Sequence, residues 1–418
     1  MNELSTYIKK YGIVFCCALL MPAMHAMNVI RPYQILLRPP KVPGSWLQLY
    51  TIGQFGFDSQ SFNACGDHVN PLQIYQCDQD ALAMLNGFDP SSAIGQKRIR
   101  VDANDDGVRG HLTPCADFRL NAALRFGARF FMPHHLSLAI YLPYYDMELK
   151  NVTWCDQTED VSVQDMRTKA YLTDCICENV ACLGCLDIGG WHRKGVGDTT
   201  VSLEWIKDFP QQKPTLHNVT INGRLGITLP SGLHADEDKL LAFPFGNDDG
   251  IGIVFGLGLD LYIGEYLKAG LDVQLMHIFG HTRCRRIKTA LAQTDLLLLG
   301  KAEAFADYGL TQQFSFYGQL YRWLGGASIK VAYQFYKRGQ DQLFLSSNEF
   351  SSEIANSAES LLAYTTHDAF VILDYDFTDH TFNRFGWTPY VAGFVNIPFN
   401  GKRSIVAKTA GFVLGLNF

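Results

Sequence analysis

The chain has 418 residues, a formal net charge of −6 and no basic excess, which argues against nucleic acid as a partner. Apolar residues make up 47% and charged residues 18%, while 37 glycines, 28 phenylalanines and 19 tyrosines shift the composition toward β structure. Length alone allows roughly two or three domains, but a single large barrel with long loops fills it equally well.

The chain opens on a secretory signal. Lys9 and Lys10 form its charged region, residues 12–21 its apolar run and Ala23 to Ala26 its small-residue zone, with the cut after Ala26 or, alternatively, after Ala23. The run is too short to span a bilayer and is broken at Pro22, and Cys16 and Cys17 lack the small-residue surroundings of a lipidation site. No later stretch reaches the roughly 18 to 20 apolar residues of a transmembrane helix, so membrane insertion must use strands. Three regions follow: the signal at 1–26, a periplasmic or plug segment at 27–43, and the barrel at 44–418. The middle region holds Arg31, Pro32, Arg38, Pro39, Pro40, Lys41 and Pro43, too many prolines for a central strand, while Ile35 to Leu37 are too apolar for a free tail. It is expected to enter the periplasmic mouth or lumen, its arginines meeting lumen carboxylates such as Asp374 or Asp376, with a flexible tail as the alternative.

From Trp46 the strand period of two takes over. Twelve segments carry it, near 45–57, 116–131, 135–149, 197–209, 215–229, 251–263, 266–279, 309–323, 327–338, 367–378, 386–398 and 403–418. In residues 116–131, Phe118, Leu120, Ala122, Leu124, Phe126, Ala128 and Phe130 share one face, and Asp117, Arg119, Asn121, Arg125 and Arg129 the other. Short connections alternate with long ones at 58–115, 150–196, 230–250, 280–308 and 339–366, only the last, near Asn400, being short. That alternation predicts an all-β, transmembrane, antiparallel up-and-down barrel of about 12 strands in the outer membrane, with long external loops carrying short helices. Phe418, preceded at alternate positions by Leu416, Leu414 and Phe412, resembles the C-terminal signal read by the outer-membrane assembly machinery.

Alternation places Arg119, Arg125, Arg129, Asp198, Glu204, Arg224, Asp260, Lys268, Asp272, Lys330, Asp374 and Asp376 in the lumen, and membrane lipid on the apolar face. Mixed charges there can pair across strands, sealing the bore or leaving a narrow polar path.

Nine cysteines follow the signal: Cys65, Cys77, Cys115, Cys155, Cys175, Cys177, Cys182, Cys185 and Cys284, all in predicted external loops. On the oxidising side of a membrane they are disulfide candidates, with zinc ligation by Cys175, Cys177, Cys182 and Cys185 as the alternative. Asp102, Asn104 and Asp106 before Gly107 match the opening of a calcium loop, but Thr113 replaces the closing glutamate, so a solvated turn is favoured. Residues 79–88 and 289–306 carry helix-like patterns, and the Leu296 to Leu299 run needs a covering partner. Arg283, Arg285, Arg286 and Lys288 oppose Asp236, Glu237 and Asp238, for which inter-loop pairing is preferred over lipid head groups. His134, His135, Ser137, His281 and the His367–Asp368 pair show no spacing specific to a hydrolase, so neither enzymatic activity nor a cofactor is expected.

Two segments carry a resemblance. Gly195-Val196-Gly197-Asp198 leads into a strand through Leu203 and Trp205; Leu225-Gly226-Ile227-Thr228-Leu229 runs into Pro230-Ser231-Gly232, and paired glycine-rich strands follow between Gly250 and Gly280. These resemble the outer-membrane proteins associated with the meta-pathway of phenol degradation, themselves loosely similar to fatty-acid-type channels. The resemblance implies passage of small solutes, aromatic or apolar ones among them; the cysteine-rich loops depart from it. A channel or uptake protein is thus expected, against a sealed barrel that displays disulfide-braced loops for adhesion or partner binding.

Overall fold

Period-two alternation builds twelve long strands: β1 (Leu47–Phe62), β2 (His111–Phe131), β3 (Leu136–Asp156), β4 (Thr199–Pro210), β5 (Leu216–Leu229), β6 (Gly252–Ile263), β7 (Leu267–Ile278), β8 (Thr311–Leu324), β9 (Ala327–Arg338), β10 (Tyr364–Asp376), β11 (Thr388–Lys402) and β12 (Ser404–Asn417). The structure, a computed structural model, describes residues 34–101, 108–377 and 387–418. The signal sequence, Arg31, Pro32 and the acidic turn with Asp102, Asn104 and Asp106 lie outside the described residues. Each strand pairs antiparallel with its chain neighbour, and β1 also pairs with β12, Leu49 opposite Leu416, which closes the barrel. Closure leaves no unpaired edge, the condition for crossing lipid with strands.

The turns at 132–135, 211–215, 264–266 and 325–326 share one end with both described termini; His134 and His135 take positive φ there, at 61° and 65°. The long connections at 157–198, 230–251, 279–310 and 339–363 lie at the other end, as do the described residues of the first, 63–101 and 108–110. Outward positions form an exposed apolar belt, among them Leu138, Ile140, Leu142, Leu225, Ile227, Phe255, Leu257, Leu414 and Leu416. Side chains of this kind on a closed wall require lipid, so the protein is an outer-membrane β-barrel.

A bulge corrects the sequence reading of β2. The register against β3 shifts between Leu120 and Ala122, so parity inverts along the strand. Below the bulge Arg125 and Arg129 point inward as expected; above it Phe118 and Leu120 are buried inside, and Arg119 stands exposed on the outer wall. A lumen place for Arg119 is therefore overturned.

Strands β2 and β3, each 21 residues long, rise past the membrane and wall off an external cap. This extension takes Cys115 into β2 and Cys155 into β3, while Cys284 lies in an external strand, so these three are not in irregular loops. Inside the cap one apolar core joins the first four long loops, with Leu72, Met84, Leu172, Phe243 and Leu297 packed on Phe118 and Trp191. Three further strands, His281–Ile287, Gly300–Asp307 and Gln342–Leu345, form a separate external sheet. The helical expectation for 289–306 fails here: its second half is the middle strand of that sheet, and all four leucines of 296–299 are buried under neighbouring loops. Residues 79–88 form a two-residue strand and a 3-10 turn (Ala83–Leu85).

Candidate functional site: the bore and its two closures

Inward positions of the twelve strands are mostly polar, and their charges pair. Arg224 on β5 grips Asp272 on β7 with two hydrogen bonds of 2.8 Å, a bidentate geometry. It reaches there across Gly256, where a Cβ would fall 2.5 Å from the guanidinium, one concrete use of the glycine-rich inner face. Lys268 pairs with Asp260 at 2.7 Å, and Tyr317 donates to the same carboxylate. Arg125 Nη1 donates to Gln54 Oε1 at 2.6 Å.

The periplasmic half of the bore holds a piece of the chain itself. Residues preceding β1 rise into it as a 3-10 turn (Ile35–Leu37), and Leu36 and Leu37 are buried against Tyr50, Phe370, Tyr390 and Phe394. Apolar burial of this kind stabilises by roughly 1.5–3 kcal/mol per side chain. Polar contacts fix the rest. Gln34 and Gln334 exchange reciprocal hydrogen bonds of 3.1 Å, Lys330 Nζ donates to the Leu36 carbonyl at 3.3 Å, and Gln48 Nε2 donates to the Pro40 carbonyl at 2.8 Å. Arg38 takes one oxygen of Glu204, and Arg129 Nε donates to the other at 3.1 Å, so this fully buried carboxylate sits between two guanidiniums. Pro39 fits beside Gly415, where a Cβ would approach its ring to 3.2 Å.

The outer end is closed by the cap. Arg283 pairs with Glu237 at 2.8 Å and with Asp248; Arg285 pairs with Asp248 at 2.7 Å and Arg286 with Asp238 at 3.1 Å. These are the inter-loop pairs expected from the basic cluster. Asp248, held by two arginines, titrates below the ordinary aspartate range despite its burial, whereas burial lifts Asp295 above it and Asp341 to about 6.

No family profile matches the chain, and no curated protein matches it. Among solved structures it is similar to an outer membrane channel from Pseudomonas putida, at 12% identity over 90% of this chain and 98% of that one, with a TM-score of 0.42. The CymD monoaromatic hydrocarbon channel matches at 11% identity over 89% and 88% (TM-score 0.31), and a Pseudomonas aeruginosa FadL homologue at 9% over 90% of each (TM-score 0.29). Scores this low say nothing of solute; the barrel assignment rests on the closed strand pairing.

Of the residues singled out by alternation, Arg125, Arg129, Glu204, Arg224, Asp260, Lys268, Asp272, Lys330 and Asp374 come together along the bore. Asp376 keeps the same parity at the periplasmic end of β10. Asp198 does something else: it accepts from the backbone N–H groups of Gly232 and Asn247 and ties an outer loop to the wall. Arg38 of the inserted segment meets the lumen carboxylate Glu204; Arg31 lies outside the described residues. Gln48, Gln334 and Tyr317 also take part in bore contacts, and their inward parity is the sequence signal that marks them. All nine cysteines are free and exposed, so the expected disulfides are absent from this structure. Among the described residues no three ligands converge on a metal-sized site, the Cys175 to Cys185 cluster included. No described serine hydrogen-bonds a histidine; Ser137 donates instead to Glu204 at 3.4 Å, and His367 meets the Tyr333 hydroxyl at 2.8 Å. Phe412, Leu414, Leu416 and Phe418 share the outward parity, with Leu414 and Leu416 in the exposed belt.

Proposed function

We propose that the protein is a passive outer-membrane channel for small solutes in which residues 34–43 are a plug. The observation that carries this reading is the manner of closure of the periplasmic half. A wall of paired charges surrounds a short length of chain that two buried leucines and a handful of polar contacts hold in place. A bore meant to stay sealed needs no such insert, because side chains of a twelve-stranded barrel can fill much of it. The polar wall suits polar and amphipathic solutes better than a bare hydrocarbon, which narrows the solute class suggested by the family resemblance. No hydrolytic role is assigned, and the terminal Phe418 with its outward neighbours is read as the assembly signal.

Planar bilayers test the channel. The protein lacking residues 27–41 should conduct at a level well above the full chain, with solute flux in liposomes to match. A silent deletion variant that is correctly inserted would remove the channel and favour the rival, a sealed barrel whose compact cap binds a partner.

A further inference from the structure

The external sheet prolongs the barrel wall. Strand His281–Ile287 follows β7, Gly300–Asp307 precedes β8 and Gln342–Leu345 follows β9, and the three lie side by side in the same order as β7, β8 and β9 below them. The inner face of the sheet, with Ala304, Ala306 and Leu343, packs on Met276 and Ile278 in the mouth of the bore, so its other face continues the outer wall. Toward the outer end of that wall the outward positions of β7, β8 and β9 pass from Leu275, Phe314 and Phe335 to His277, Gln312 and Lys337, which mark the limit of the apolar belt. These strands, of 12, 14 and 12 residues, already exceed the roughly 9–11 that cross a bilayer. Beyond their ends the wall turns apolar again. Phe279, Phe305, Leu310 and Phe344 are between 40% and 52% exposed, and Phe305 and Phe344, opposite each other in register, hold their ring centroids 6.3 Å apart.

The other raised flank of the wall is built differently. On β3 the outward positions pass from Leu142 through Tyr144 to Asp146, Glu148 and Lys150, and Arg119 on β2 stands opposite Glu148. A bilayer has nearly one thickness around a barrel, so lipid that ends below these charges does not climb over Phe305 and Phe344. An aromatic patch above the lipid calls for a protein cover. A copy of this chain enters the membrane in the same orientation, so a two-fold axis between two copies runs along the membrane normal and each level of the wall meets the same level of its partner. Phenylalanines then face phenylalanines, and the contact continues downward into the apolar belt through Phe279. We propose that the outer face of the external sheet is a homodimer interface, covered by a second copy of the chain standing beside the first, with Phe305 and Phe344 at its centre. The interface forms whether or not the bore conducts.

Sedimentation equilibrium of the full chain in density-matched micelles should show a dimer, and F305S/F344S should raise its dissociation constant by about 30-fold or more, the equivalent of ~2 kcal/mol for one lost aromatic anchor. Both side chains stand on the surface, so the variant should keep the β-sheet circular dichroism of the parent. Photo-crosslinking in whole cells decides the matter even where the variant fails to assemble. Thr282 lies opposite Phe305 on the neighbouring strand, and Thr282→p-benzoylphenylalanine should yield a product of twice the chain mass, whereas Arg119→p-benzoylphenylalanine on the other flank should not. A monomeric parent protein, an F305S/F344S dimer as tight as the parent, adducts at position 282 with lipid or with a different protein in place of a copy, or equal self-crosslinking from position 119 each overturns the proposal. Conductance after deletion of residues 27–41 tests the channel separately, and a silent bore leaves the dimer standing.

Discussion

Replacing Arg38 by glutamine is the most direct perturbation of the plug. Glu204 keeps Arg129 and Ser137 as partners, so the variant removes one contact of the inserted segment without leaving a lone buried charge in the wall. A hydrogen bond between charged groups contributes about 1.5–3 kcal/mol. With a factor of ten per ~1.4 kcal/mol, the population with the segment withdrawn should rise by roughly 10- to 150-fold. Leu36, Leu37 and the Gln34–Gln334 pair still hold the segment, so brief openings are expected rather than a permanently open pore. Single-channel recording reads this as open probability, with the 27–41 deletion as the fully open reference. If R38Q gates like the unaltered protein while the deletion conducts, the Arg38–Glu204 contact does not hold the plug and the energetic reasoning fails.

Breaking one partner of the Arg224–Asp272 pair, as R224M, should lower barrel stability by about 3–5 kcal/mol, whereas R224M/D272L should recover most of it; urea midpoints in micelles check the order. Asp341 has a folded-state value of about 6 against 3.8 when unperturbed, so its ionisation disfavours the native cap, and the cap should gain stability as pH falls from about 6 toward 4. Protease protection of the outer loops should therefore increase over that window, and D341N should flatten the response. Leu297→Ala, at a fully buried position of the cap, should cost about 2–5 kcal/mol locally and speed loop cleavage while the barrel itself stays resistant to unfolding.

Strand number, turn alternation and the polarity of most of the bore were legible in the sequence, because a barrel strand is read locally: its neighbours are its chain neighbours and its two faces alternate one residue at a time. Pairing of Arg283, Arg285 and Arg286 with the acidic loop was equally visible as opposed charge clusters. Parity, however, is only as good as its continuity. One extra residue near Leu120 reversed the faces of outer β2, sending Arg119 to the surface and Phe118 into the cap, and no local pattern marks that bulge. The leucines of 296–299 have the cover that their apolar run requires, but which loops supply it is not written nearby in sequence, and the helix-like stretch around them departs from its local propensity because the middle place in a three-stranded sheet overrides it. Prolines and arginines before the barrel left an insert and a flexible tail both open, and the partner of Arg38 was decided by the closure of β1 on β12 and the position this gives Glu204 across the bore. Composition and period thus determined the wall of this protein; what stands inside it followed only from closing the wall, since contacts across a bore join residues that no sequence spacing relates.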